Sequence, residues 1–405
     1  MKVIVSSFKK VNAFLFCCLI TSTTVIAQNN DSTPLLIHAA RIFDGINIKT
    51  NESILVVDGK VNRIDKRENF TATNAREVDL GDATVLPGFI ELHAHLGFQH
   101  IPEDVVLRHG VTTLRDVGGP LHETYGGEGR LRVLTSGPIL TVSEGYPIIN
   151  LGTENIAIAI ASEQQAKTVV RDLIKGGAAI IKIALEPGGE TGAPWTHHHH
   201  QQTHDHHPKK EWPMLSEELV NVIVDEAHKL GRTVTAHIGE TKGAKIALTA
   251  GVDEWAHIPC APISEVILKE VVAKHVTIVT TLDTLSKCPG AAHNAHVLAS
   301  LGAQLLYGAE IAHPDIPWGI DAQELIAIKQ ATNSETLEVL QSASSKSGQH
   351  LSIPLLGTLQ ESAPADIIAV KGNPIDNLKL LEYPDFVMSG GKVVVNNFSS
   401  LPYLE

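Results

Sequence analysis

The sequence predicts an α/β protein: a (β/α)₈ barrel with a small β-sandwich made by the two ends of the chain. Three observations predict it. Short apolar strand candidates alternate with amphipathic helical stretches through about 260 central residues, the size and rhythm of such a barrel. Runs of β character broken by turn signals stand at both ends. Singular polar residues fall at the C-terminal ends of several different strands, which favours a barrel over a doubly wound open sheet with the same alternation. A chain of 405 residues has room for a barrel and a smaller domain.

The elements follow in order. Lys2, Lys9 and Lys10 precede a mostly apolar, uncharged run from Val11 to Ala27, which closes on Val25-Ile26-Ala27 with a small residue. This is the layout of a secretory signal peptide. Residues 1–27 are therefore expected to be removed, the mature chain to be periplasmic or extracellular, and no stable membrane anchor to remain. Removal also takes Cys17 and Cys18, leaving Cys260 and Cys288, whose pairing the sequence leaves open.

Residues 28–86 and 351–405 are expected to form the two parts of the sandwich. Leu35–Ile42, Ser53–Val57 and Lys60–Ile64 are separated by Asp44-Gly45 and Asp58-Gly59, the latter a strong hairpin signal. Asp366–Val370 and Phe386–Asn396 repeat the pattern around Asn373-Pro374 and Gly390-Gly391. Residues 87–350 are assigned to the barrel. Its strand candidates are Val85–Leu92, Val111–Leu114, Ile139–Val142, Ala178–Ile183, Thr233–Ala236, Val252–Ala256, Val276–Thr281 and Gln304–Tyr307. Helical stretches between them include Ser162–Lys175, Ser216–Leu230, Lys242–Ala250, Ile263–Lys274 and Ala322–Thr332.

Composition narrows the function. Lys and Arg total 32 against 45 Asp and Glu, a net charge of −13, which argues against nucleic acid as a partner. With only 9 Phe, 5 Tyr and 4 Trp, base-stacking platforms are not expected either. The 21 histidines point instead to metals or proton chemistry.

The sharpest motif is Leu86-Pro87-Gly88-Phe89-Ile90-Glu91-Leu92-His93-Ala94-His95. Residues two apart on a strand share a face, so His93 and His95 can reach one ion. Lys182 interrupts the apolar run Ala179-Ile180-Ile181-Lys182-Ile183-Ala184. A buried lysine needs an acidic partner or must give up its proton. Neutral, its amine can take up carbon dioxide as a carbamate, whose two oxygens can bridge two metals. His237 ends Thr233-Val234-Thr235-Ala236, and His257 ends Val252-Asp253-Glu254-Trp255-Ala256. Either histidine alone reads as a hydrogen-bonded core residue. Four histidines and a lysine on strand ends of one barrel read as a metal centre.

This layout resembles the metal-dependent amidohydrolase superfamily, with the nearest similarity to imidazolonepropionase-like enzymes and to bacterial Xaa-Arg/Lys and Xaa-Pro dipeptidases. The resemblance implies that His93 and His95 bind a more buried ion and that His237 and His257 bind a more exposed one. It also implies a Lys182 carbamate between the two divalent ions. Nitrogen and oxygen ligands fit Zn²⁺, and also admit Mn²⁺, Co²⁺ or Fe²⁺. One position departs from the family pattern. The last strand usually ends in Gly-Thr-Asp, where this chain has Gly308-Ala309-Glu310. Glu310 keeps the carboxylate with roughly 1.5 Å more reach. It is expected to serve as ligand and proton acceptor, with Asp283, His313 and Asp315 as alternatives if the carboxylate has been displaced.

The resemblance implies hydrolysis of an amide C–N bond by a metal-activated water, in a dipeptide, an N-acyl amino acid or a small cyclic amide. Two other readings stay open: opening of an imidazolone-type ring, and a non-catalytic zinc-binding or storage protein with a decayed barrel site. Seven of the 21 histidines lie in His197–His207, read as a polar loop after the fourth strand or as a metal-gathering lid. Tyr146, in Ser143-Glu144-Gly145-Tyr146-Pro147, is a candidate substrate contact. The expected partner is a small molecule or dipeptide; a homo-oligomer is left open.

Overall fold

The computed structural model describes residues 33–71, 74–196 and 211–398. The expected signal peptide and His197–His207 lie outside the described residues. Among the described residues, no helix is long and apolar enough to cross a membrane.

The protein is α/β and built on parallel sheet. Phe89–Ala94, Val111–Asp116 and Arg130–Thr135 run parallel in one sheet. A second parallel sheet of seven strands contains, in spatial order, Ala157–Ala159, Ile139–Thr141, Ile181–Leu185, Val234–Ile238, Glu254–Trp255, Thr277–Val279 and Leu305–Leu306. Ile181–Leu185 and Val234–Ile238 are buried along their whole length, as strands covered on both faces must be. Two places link the sheets. Ala179 N–H donates to Thr135 O at 2.8 Å, and His95 N–H to Ile311 O at 2.9 Å, beside a parallel bridge between Ala94 and Ile311.

Helices return the chain between strands, and the sequence sets their starts. The Ser162 and Ser216 hydroxyls accept the Gln165 and Leu219 N–H groups, capping Glu163–Lys175 and Glu217–Lys229. Val170, Leu173, Val220, Ile223 and Val224 bury their apolar faces against the sheet core.

The two ends of the chain pair directly. Ile367–Lys371 lies antiparallel to both Ala83–Pro87 and Phe386–Ser389, while Arg41–Phe43 joins Ala83–Pro87 from the other side. A four-stranded sheet containing Leu35–His38 and Glu52–Val57 shares an apolar cluster with these strands, built from Ile37, Ile54, Val85, Ile367 and Phe386. Asp58 and Gly59 both take positive φ, the backbone of a tight hairpin turn between Glu52–Val57 and Lys60–Lys66.

Two boundaries differ from the sequence reading. Val85–Leu92, expected as one strand, breaks at Gly88: Ala83–Pro87 belongs to the antiparallel sheet and Phe89–Ala94 to the parallel one. A Cβ on Gly88 would lie 2.2 Å from Thr112 Oγ1, so only glycine lets the chain cross there. Leu35–Ile42 likewise splits into Leu35–His38 and Arg41–Phe43, in different sheets. The ribbon of Tyr125–Gly127 against Arg130–Thr135 has no counterpart in the sequence reading.

Candidate metal centre

His93 and His95 stand at the C-terminal end of Phe89–Ala94 with their Nε2 atoms 3.2 Å apart. The Ala256 carbonyl lies 2.5 Å from His93 Nδ1. A carbonyl only accepts, so Nδ1 carries the proton and the Nε2 lone pair faces inward. His95 stacks on Phe98 with ring centroids 4.5 Å apart.

Glu310 follows the last parallel strand and takes a left-handed φ of 64°. That backbone brings its longer side chain back over the histidine pair: Oε1 lies 3.9 Å from His95 Nε2. One ligand atom each from His93, His95 and Glu310 falls within 4.8 Å of the others. The second Glu310 oxygen is buried without a hydrogen-bond partner among the described residues. Burial pushes the Glu310 carboxyl up to about 7, with the Lys182 charge opposing. Asp283, His313 and Asp315, the alternatives read from sequence, line a neighbouring cavity of about 370 Å³.

The other two histidines meet on adjacent strands. His237 lies beside Ala184 in the register, and Lys182 beside Thr235. His257 Nε2 sits 2.7 Å from His237 Nδ1, and the rings of His93 and His257 are 5.6 Å apart. All four imidazoles are held well below their ordinary pKa, first by burial and then by neighbouring charge that includes Lys182 in every case. They are therefore neutral and able to donate lone pairs. Lys182 is buried on its strand. Burial lowers its amine to about 7, with Glu254 and Glu310 opposing. The structure thus brings together His93, His95, Glu310, His237 and His257, with Lys182 near enough to act on all four histidines.

Aromatic rings close over His237. Tyr146 lies 4.4 Å from it, centroid to centroid, and stacks on Trp212 at 6.1 Å. Trp195 lies 4.5 Å from His237 and 5.2 Å from His257. Burial, then the charges of Glu310 and Glu186, raise the Tyr146 hydroxyl above its ordinary range and keep it protonated. Cys260 and Cys288, whose pairing the sequence left open, form a disulfide linking segments that follow two neighbouring strands.

Sequence reasoning missed three carboxyl groups. Glu91 accepts the His93 N–H at 2.7 Å and the Ala309 N–H with both oxygens, at 3.1 and 2.9 Å. Burial raises it to about 8, against those two bonds. Glu186 lies 2.9 Å from His237 Nε2, and Glu190 lies 3.4 Å from the Trp195 indole N–H. Glu186 and Glu190 are hydrogen-bonded to each other. Burial lifts Glu186 to about 7 and Glu190 to about 8, and the bond between them raises Glu190 and lowers Glu186. The available signal was a glutamate inside or directly after an apolar strand, where an unpaired charge is costly.

The donor set fits divalent ions on two grounds. Neutral imidazole nitrogens converge in pairs. Glu310 Oε2 is buried with no protein partner among the described residues, beside the inward-facing nitrogens of His93 and His95. Lone pairs facing one another beside an orphan carboxylate oxygen call for a cation.

Residues 84–394 match the profile of the Amidohydrolase family. Ochratoxinase of Aspergillus niger is 26% identical over 302 residues, covering 68% of this chain and 58% of that protein. The match thus spans less than two thirds of that relative's length. Among solved structures, a Xaa-Pro dipeptidase with bound methionine in its active site superimposes with a TM-score of 0.69 and 21% identity, over 89% of this chain and 99% of that one. The crystal structure of A. niger ochratoxinase gives 0.71 and 18%, over 90% and 96%. At these identities the two structures speak to the fold.

Proposed function

The chain belongs to the amidohydrolase family, and on that premise we propose that it is a metal-dependent hydrolase of carbon–nitrogen bonds. The substrate we infer is an amide in a dipeptide, an N-acyl amino acid or a small cyclic amide. The observation that carries this reading is the meeting of His93, His95 and Glu310 ligand atoms within 4.8 Å, beside the His237–His257 pair. The dipeptidase and ochratoxinase similarities support an amide as the bond cut.

The two parallel sheets are read as arcs of one closed barrel, and the antiparallel sheets as a sandwich. The two contacts between the sheets and the TM-scores of 0.69 and 0.71 support this. His93, His95 and Glu310 would hold one divalent ion and His237 and His257 a second. Lys182 as its carbamate would lie between them, and zinc is the first choice for such donors. Bound there, the ions supply Lewis acidity that polarises a carbonyl and makes a water nucleophilic near neutral pH.

The remaining roles belong to the chain. Glu310, with one oxygen free of hydrogen bonds, takes the proton of the attacking water and delivers it to the leaving nitrogen. The Tyr146 hydroxyl, kept protonated, donates a hydrogen bond to substrate. Trp195 shields the faces of His237 and His257 from solvent. The N-terminal segment through Ala27 directs the enzyme out of the cytoplasm.

The test is metal analysis of the dialysed protein together with turnover of a panel of dipeptides and N-acyl amino acids. About two tightly held ions per chain with hydrolysis support the reading. Many loosely held ions without hydrolysis favour a zinc store instead.

A further inference from the structure

Each ring of a metal-binding histidine has two nitrogens, and only the unprotonated one can bind. For His237 the choice is made by a residue outside the candidate ligand set. Its Nδ1 lies 2.7 Å from His257 Nε2, and its Nε2 lies 2.9 Å from Glu186 Oε2. We propose that Glu186 is a positioning residue: by accepting the His237 Nε2 proton it turns the Nδ1 lone pair toward His257 and selects Nδ1 as the ligand atom. The inference rests on the metal-hydrolase reading above.

The surroundings fix Glu186 for this task. It follows Ile181–Leu185 directly, four residues after Lys182. Its other oxygen accepts the Gly188 N–H at 2.6 Å. Glu190 bonds to the same carboxylate and holds Trp195 against both His237 and His257. Space is reserved for it as well: a Cβ on residue 239 would lie 2.2 Å from Glu186 Oε2, and that residue is glycine. Gly239 comes two positions after His237, directly past the end of Val234–Ile238, so the ligand and the gap for its orienting carboxylate are neighbours in the chain. His93 is oriented in the reverse sense, with Nδ1 bound to the Ala256 carbonyl and Nε2 facing inward. The two histidines thus present opposite nitrogens, each set by what its other nitrogen meets.

Three proteins test this: wild type, Glu186→Met, which keeps volume but removes the acceptor, and Glu186→Gln, which keeps a neutral acceptor. Zinc titration against a chromophoric chelator should show one of two binding steps weakened roughly 10–100-fold in Glu186→Met. The other step should be unchanged, and Glu186→Gln should stay near wild type. Long-range ¹H–¹⁵N spectra of metal-free wild type should show His237 as the Nε2–H tautomer. This measurement needs no variant and stands even if Glu186→Met fails to fold. Wild-type affinity for both ions in Glu186→Met, or an Nδ1–H tautomer of His237, overturns the proposal and leaves the hydrolase reading intact. A wild-type protein that binds no zinc overturns both.

Discussion

Glu91 fastens Ala309 to the first parallel strand. Both of its carboxylate oxygens accept the Ala309 N–H, at 3.1 and 2.9 Å, and one of them also takes the His93 N–H at 2.7 Å. Glu310, the next residue, is thereby registered against the strand bearing His93 and His95. This tie adds to the Ala94–Ile311 bridge and the His95 N–H bond to Ile311 O in setting where the Glu310 side chain starts.

Glu91→Ala should therefore cost more activity than its distance from the donor atoms suggests. It orphans two buried N–H groups, a stability loss of about 1–3 kcal/mol for each such group. It also loosens one of the ties that place Glu310, and about 1 Å of misplacement lowers rate on the order of 10²-fold. Urea unfolding and kcat on the best panel substrate check both numbers. Unchanged kcat would separate Glu91 from the site.

The length of Glu310 makes a separate prediction. Its left-handed φ of 64° and its 3.9 Å approach to His95 belong together. Glu310→Asp withdraws the carboxylate by roughly 1.5 Å, so kcat should fall on the order of 10²-fold. An aspartate variant as fast as wild type would mean that the extra reach is not used, and a much faster one that the natural residue is a handicap.

A buried ionic network joins two other parallel strands and the helix Ser345–His350. Arg115 donates to Glu254 at 2.7 Å, and His350 meets the other Glu254 oxygen at 2.6 Å. Burial alone would raise the Glu254 carboxyl, but the Arg115 guanidinium and His350 overcome it and hold the group well below its ordinary value. Its contribution to stability is therefore present above the ordinary carboxylate value of 4.5 and is lost as pH falls through the lower folded value. Glu254→Gln leaves Arg115 buried without its counter-charge and should cost about 3–5 kcal/mol at neutral pH. Denaturation at pH 7 checks this; a loss below about 1 kcal/mol, the range of a surface pair, would contradict it.

What was legible in the sequence has local causes. His93 and His95 are two apart on a strand, and a period of two needs no tertiary information. Lys182 stands out because its neighbours are all apolar. Asp58-Gly59 turns where its backbone preferences dictate. Glu91, Glu186 and Glu190 are not singled out, because their burial depends on which segments fold over them. The break at Gly88 is similar: Pro87-Gly88 looks like the start of a strand until Thr112 arrives to exclude a side chain. Trp195 meets two histidines more than forty positions away in the chain, a contact with no local signal.

The most direct measurement is anomalous diffraction at the zinc edge from crystals of the zinc-loaded protein. The account predicts two peaks, one about 2.0–2.1 Å from Nε2 of His93 and of His95, the other at that distance from His237 Nδ1 and His257 Nε2. Peaks elsewhere on the chain, or none at these four histidines, would contradict it.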